Sequence, residues 1–232
     1  MNAAVIVFPG SNREGDVARA IALTSGRKPQ FVWHADTVLP AGTDLVVLPG
    51  GFSYGDYLRC GAIAARAPVM NAVRAHADRG GLVLGICNGF QILCESGLLP
   101  GVLVRNARLK FMCREVYLRV ERSDTPYSRR YNAGDVIKVP VAHGEGNYIA
   151  DSETLARLEG DGRVLFRYTA PDGTLDPKWN HNGSTNAIAG ILSEKLNVFG
   201  LMPHPENHVD PVVGPTDGRG FFESIRTTLE AA

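Results

Sequence analysis

The stretch Leu82-Val83-Leu84-Gly85-Ile86-Cys87-Asn88-Gly89-Phe90-Gln91 constrains this chain more than any other. An apolar run of buried-strand type stops at Gly85, a cysteine sits between two glycines, and a helical pattern follows at once. This is the G-x-[Ser/Cys]-x-G layout of a nucleophile elbow. Strand turns into helix so sharply there that the flanking positions must be small, and the central side chain is pushed out above a sheet. The N–H of Asn88 would then point where an oxyanion forms, and the helix start would add positive potential that favours a thiolate at Cys87. The plain alternative is an unreactive buried thiol.

Around this turn the chain reads as alternating strands and helices. Ala3–Phe8 is a short apolar strand ended by Pro9-Gly10, and Asp16 can cap a helix from Val17 to Thr24 that stops at Gly26. Gln30–Trp33 and Asp44–Leu48 read as strands, Val69–Ala77 as a helix, Leu82–Gly85 as a strand, and the elbow helix runs to Glu95 before Gly97. Near-continuously apolar strands with helices between them predict an α/β fold, a mostly parallel central sheet with helices on both faces. The second half is less regular. Met112–Val120 and Val136–Val141 alternate as half-exposed, antiparallel strands, so a small antiparallel extension is expected. Asp151-Ser152 can cap a short helix to Leu158. Val164–Tyr168, Ala187–Leu192 and Val198–Met202 read as further strands, and Gly220–Leu229 as a closing helix. No repeat, low-complexity tract or linker divides the chain, and a single domain over 1–232 is expected.

Charge narrows the partners. The 24 basic and 24 acidic residues cancel, so there is no electrostatic case for nucleic acid or an anionic membrane surface. No apolar run approaches the ~20 residues that span a bilayer. The N-terminus reads as a strand and not as a signal peptide. Cysteines 60, 87, 94 and 113 show no C-x-x-C pair or framework spacing, which points to reduced thiols and a cytoplasmic location. The Asn182-Gly183-Ser184 glycosylation match carries no weight in that setting.

Four further stretches bear on chemistry. Leu48-Pro49-Gly50-Gly51-Phe52 follows the third strand at the sheet end where α/β ligand sites lie; either Gly51 or Phe52 can supply a second oxyanion N–H opposite Asn88, or the segment is a simple turn. It is no phosphate loop, since no Gly-Lys-Ser/Thr follows. In Pro203-His204-Pro205-Glu206-Asn207-His208 a histidine stiffened by two prolines has a carboxylate two residues on, on the same side in extended backbone. His204 and Glu206 meet the needs of a thiol nucleophile for a base and for a group that orients it. The same residues spell H-x-E-x-H, but the prolines prevent a helical metal-binding pair, and no metal is expected. His143-Gly144-Glu145-Gly146, at the end of the strand Val136–Val141, is a second histidine–glutamate pair and a competing base candidate. It ranks below His204 because its glycines make a mobile loop suited to ligand binding or gating, or merely a solvated connection. Gln91 lies one helical turn from Cys87, placed for a substrate contact or for the surface. The basic residues between Arg105 and Arg130 have strand spacing, and a solvated face is the default reading.

Gly85-x-Cys87-x-Gly89-x-Gln91 together with His204-Pro205-Glu206 resembles the class I (triad) glutamine amidotransferases, which have a flavodoxin-like fold. The blocks Gly50-Gly51-Phe52-Ser53-Tyr54-Gly55-Asp56-Tyr57-Leu58-Arg59-Cys60-Gly61, Phe8-Pro9-Gly10-Ser11-Asn12 and His143–Gly146 are similar to the glutaminase-subunit family of phosphoribosylformylglycinamidine synthase, and this likeness spans essentially the whole chain. The resemblance implies hydrolysis of L-glutamine to glutamate and ammonia by Cys87, His204 and Glu206, with Gln91 contacting the substrate; His143 and Gly144 are expected as substrate-binding residues from the loop they occupy. It also implies delivery of ammonia to a large synthetase subunit, with a third small subunit in many bacteria, in de novo purine synthesis. ATP and Mg²⁺ belong to that partner, and no cofactor is expected in this chain. The Asn180–Asn186 stretch resembles the family's Asn-Gly-Ser loop, from which His181 and Thr185 depart.

Overall fold

A computed structural model describes residues 1–231. The first half alternates β1 (Ala3–Val7), α1 (Glu14–Ser25), β2 (Gln30–Trp33), β3 (Leu45–Leu48), α2 (Val69–Asp78), β4 (Leu82–Ile86) and α3 (Asn88–Glu95). The second half contains β5 (Val102–Val104), β6 (Met112–Val120), β7 (Val136–His143), β8 (Asn147–Ile149), α4 (Ser152–Gly160), β9 (Val164–Thr169), β10 (Ile188–Leu192), β11 (Val198–Leu201) and α5 (Arg219–Glu230). Nine strands form one sheet in the order β2-β1-β3-β4-β11-β10-β9-β6-β7, while β5 and β8 make a separate antiparallel pair.

The sheet is parallel from β2 to β11 and antiparallel from there to β7. Every residue of β3, β4 and β11 is buried, which is what apolar runs such as Leu45-Val46-Val47-Leu48 require when both faces of a sheet are covered. Right-handed crossovers supply that cover. The step from β1 to β2 moves one way across the sheet and the step from β3 to β4 moves the other, so α1 and α2 lie on opposite faces. Helix α5 packs on α1, and α3 packs over β3, β4 and β11.

The extension expected from Met112–Val120 and Val136–Val141 is larger than those two strands. Strands β9 and β10 join it, so the antiparallel strands continue the same sheet that carries the elbow. Strand β7 forms its last edge, and that edge is covered. Lys138 N donates to Asp217 Oδ2 at 2.9 Å, His208 Nδ1 to Lys138 O at 2.8 Å, and His204 N to Pro140 O at 2.8 Å. Covering an edge in this way removes a template for pairing with other chains. It also brings β7 against the end of β11.

Local signals hold with two exceptions. Asp151 caps α4, its side chain accepting from Thr154 N at 2.8 Å, and Gly26 ends α1 in the left-handed region at φ 71°. Asp16 does not cap α1, which begins at Glu14; it lies in the first turn, paired with Arg13 at 2.9 Å, where its charge still suits the helix dipole. His143 is not on a mobile loop but is the last residue of β7. Several basic residues of the Arg105–Arg130 stretch pair locally on the surface, Arg119 with Glu121 and Arg122 with Asp124 among them.

One buried side chain joins the two halves near the amino ends of β4 and β11. Tyr127, fully buried, directs its hydroxyl at Val83 O (2.9 Å) and Asn197 O (2.6 Å) and packs on Phe199 at a ring separation of 5.0 Å. Tyr127→Phe keeps the ring and leaves these carbonyls without that donor. We expect the variant to lose about 1–3 kcal/mol of stability, read from the urea midpoint at unchanged m-value.

Candidate active site

The carboxyl ends of β3, β4 and β11 meet at one point, the position where α/β sheets hold their ligands. Cys87 stands there as the residue between β4 and α3, with φ 52° and ψ −106°. That backbone is rare for a residue with a Cβ and costs about 1–3 kcal/mol. The two flanking glycines make the turn possible. A Cβ on Gly89 would come within 1.9 Å of Leu48 O, and one on Gly85 within 2.6 Å of Gly89 O. Asn88 begins α3, while Phe90 N and Gln91 N already bond back to Cys87 O at 3.0 and 3.2 Å.

His204 and Glu206 follow β11. Their side chains are buried, and His204 Nδ1 lies 2.7 Å from Glu206 Oε1. His204 Nε2 has no protein hydrogen-bond partner. Burial by itself would discharge this imidazole, but the Glu206 carboxylate and Cys87 outweigh burial and raise its pKa to about 10. The third residue of the H-x-E-x-H string is turned elsewhere: His208 Nδ1 bonds Lys138 O, and its Nε2 faces Glu115 at 3.7 Å. Among the described residues no three His, Cys, Asp or Glu side chains converge as a metal-holding group.

The turn after β3 meets this pair from the side. A Cβ on Gly50 would stand 2.8 Å from His204 Cε1, so the missing side chain makes room for the imidazole. Gly51 has φ 152° and packs against Gly10 and Ser11 of the loop after β1. Of the two expected oxyanion donors in this turn, Phe52 N–H is already donated to Gly10 O at 2.9 Å. Gly51 N–H has no such bond, so the geometry favours Gly51 over Phe52.

The end of β7 closes the site. Cys87 Sγ lies 3.8 Å from Ala142 O, and His143 is 3% exposed, where the sequence allowed a solvated side chain. Gly144 O accepts from Asn106 N at 2.9 Å, which ties the loop after β7 to the segment after β5. Gln91 is neither on the surface nor free: its Oε1 accepts from Asn88 Nδ2 at 2.8 Å and its Nε2 donates to Glu145 O at 2.7 Å. It fastens the elbow helix to the His143–Gly146 loop. The Asn-Gly-Ser loop braces that loop from the other side, with Asn182 Nδ2 on Gly146 O at 2.8 Å and Ser184 Oγ on the same oxygen at 3.2 Å.

Three contributors escaped sequence reasoning. Arg13 lies close enough to Glu206 and Cys87 for their charges to raise its pKa, after its bond to Asp16 and against the effect of burial. Its only signal was its place just after Gly10-Ser11-Asn12. Asn106, buried, holds His143 through its side chain and had no signal at all. Ala142 contributes only a carbonyl, which no residue pattern announces.

Residues 1–222 match the model of the CobB/CobQ-like glutamine amidotransferase domain. The chain is 69% identical over 232 residues, all of both chains, to the phosphoribosylformylglycinamidine synthase subunit PurQ of Bradyrhizobium diazoefficiens. It is 59% identical over 229 residues to that of Rhodospirillum rubrum, covering 99% of this chain and 100% of the relative. The chain belongs to this PurQ family of glutamine amidotransferases. A solved structure of PurLQS from Thermotoga maritima contains a chain that superposes with a TM-score of 0.86 at 42% identity, covering 98% of each chain. A putative GMP synthase subunit from Thermoplasma acidophilum, at 15% identity, TM-score 0.60 and coverage of 100% and 97%, shares the fold.

Two outcomes follow from this geometry. Glu206→Gln removes the largest influence holding His204 charged, so its pKa should fall from about 10 towards the ordinary value near 6.5. The sign is fixed: a histidine raised on folding stabilises the fold fully below its unfolded pKa and loses that contribution as pH climbs through the folded value. The variant should therefore lose most stability at and below about pH 6.5, progressively less as pH rises, and little above pH 10, as NMR titration of His204 and urea unfolding across pH would read. Gly89→Ala forces a Cβ onto Leu48 O and should cost about 1–3 kcal/mol or more, measured by thermal unfolding.

Proposed function

We propose that the chain is the glutaminase subunit of a phosphoribosylformylglycinamidine synthase. The observation that carries this reading is the His204–Glu206 contact of 2.7 Å beside a cysteine on a strained strand–helix turn. Family membership narrows the amide substrate to L-glutamine, and the likeness to a chain of the Thermotoga PurLQS structure supports partner subunits. Glu206 orients His204 and stabilises its charged form, which in turn favours a thiolate on Cys87.

The thiolate adds to the γ-carboxamide carbon of glutamine. Oxygen becomes an oxyanion held by the N–H groups of Gly51 and Asn88, and loss of one such donor typically costs about 10²–10³ in rate. His204 gives its proton to the departing nitrogen, ammonia leaves, and a γ-glutamyl thioester remains. Water then adds to the thioester as His204 takes its proton. Collapse of this second tetrahedral species releases glutamate and regenerates the Cys87–His204 pair. His143 and Gly144 are the substrate-side residues, and Gln91 fastens their loop to α3.

Ammonia passes to a large synthetase subunit, which uses ATP and Mg²⁺ to convert formylglycinamide ribonucleotide to its amidine, with a third small subunit in the assembly. The chain itself works in the cytoplasm without a cofactor. Among the described residues no helix is long and apolar enough to cross a membrane.

Cys87→Ala, assayed with the synthetase partner, ATP and nucleotide, should abolish glutamine-driven turnover while ammonia-driven turnover continues. Normal glutamine use by that variant would leave the chain a docking subunit only.

A further inference from the structure

His143 has a feature that the glutaminase steps leave unused. It ends the inward-facing row Ile137, Val139, Val141, His143 of β7. The neighbouring carbonyls of the same strand touch the reacting pair, Ala142 O lying 3.8 Å from Cys87 Sγ and Pro140 O accepting from His204 N at 2.8 Å. The imidazole itself lies near enough to His204 to feel its charge.

Its proton can be placed. Asn106 Nδ2 donates to His143 O and to Lys110 O, both at 2.9 Å, which identifies Asn106 Oδ1 as the acceptor end of that amide. Oδ1 also accepts from Gly146 N at 2.9 Å and lies 3.1 Å from His143 Nδ1. His143 must donate from Nδ1, and its Nε2 is a bare lone pair. That atom is buried, with no protein partner. Burial and then the nearby positive charge of His204 hold the pKa down at about 4, so Nε2 stays unprotonated at neutral pH. The ring cannot swing away easily, because a Cβ at Gly146 would fall 2.3 Å from its Cε1: the ring lies flush on that backbone.

A buried acceptor without a partner costs about 1–3 kcal/mol and favours a ligand that brings a donor. Glutamine offers one at the reacting end, the –NH₂ of its carboxamide. We propose that His143 Nε2 accepts a hydrogen bond from the carboxamide N–H of the substrate and thereby selects glutamine over glutamate. The γ-carboxylate of glutamate has no hydrogen to give and would face the lone pair unpaired. When ammonia departs the contact is lost, which favours release of the acid. Sites built around a hydrogen bond to a substrate N–H reject analogues lacking it far more strongly than apolar pockets do. The proposal rests on the glutaminase reading above.

The test compares L-glutamine with the γ-methyl ester of L-glutamate, which undergoes the same acyl transfer but has no N–H on its leaving group. Both are assayed in the complex with the synthetase partner. His143→Phe, which has no acceptor, should lower kcat/KM for glutamine by about 10-fold or more beyond any loss on the ester. Inhibition by glutamate, relative to glutamine binding, should strengthen. His143→Gln, which restores a carbonyl acceptor, should recover part of the amide-to-ester ratio. Equal losses on both substrates, as a purely structural role would give, overturn the proposal, and so does an unchanged ratio.

If both variants fail to fold, the ¹⁵N shift of His143 Nε2 decides in the Cys87→Ala chain: it should move upfield with glutamine and stay unmoved with the ester. No movement with glutamine overturns the contact. Failure of the underlying reading has a different signature, since the wild-type complex would then cleave neither probe.

Discussion

The backbone of Cys87 is the constraint on which the rest depends. A residue with a side chain held at φ 52° and ψ −106° relaxes unless its surroundings forbid it. Those surroundings are β4 below, paired on both sides by β3 and β11, and α3 packed so closely above that Gly89 has no room for a methyl group against Leu48 O. The strain and the packing are one feature seen twice. Without the closeness the turn would open, and the thiol would sink into the core or swing away from His204. With it, the first N–H groups of α3 and the sulfur face the same small volume.

The antiparallel half of the sheet is the other side of that volume. Strand β7 lies at the far end of the strand order, yet its Pro140 and Ala142 carbonyls reach His204 and Cys87. The segment from His204 to Asp217 seals the β7 edge with three hydrogen bonds and locks the end of β11 to β7. Two buried histidines then meet with opposite charge states. His204 has a carboxylate at 2.7 Å and is held charged; His143 has an amide oxygen at 3.1 Å and is held neutral. Burial pushes both the same way, so the partner's charge decides the difference.

Much of this was legible in the residues. The elbow, the His204–Glu206 pair and the strand–helix alternation are local or periodic signals, and each survives in the structure with small shifts of boundary. The Gly50-Gly51 turn was placed at the right sheet end, but its glycines serve a purpose not visible in the sequence. Gly50 makes room for an imidazole from β11, and Gly51 packs on the loop after β1. His143 was placed on a mobile loop, with a solvated side chain left open, because the glycines at 144 and 146 read as mobile. In the structure Gly146 is a glycine because the His143 ring lies on it.

The sequence by itself therefore determined the strand–helix turn at Cys87, the His204–Glu206 pair and the fold class, because each rests on contacts between near neighbours or on a repeating pattern. Only the tertiary structure decided which turn amide is free, that Gln91 is a tether, and that an edge strand walls the site. It also decided which nitrogen of His143 bears the proton. Those facts depend on hydrogen bonds between residues far apart in the chain, such as Asn106 with His143 and His204 with Pro140. No local propensity or spacing encodes such a pairing until the sheet has closed around it.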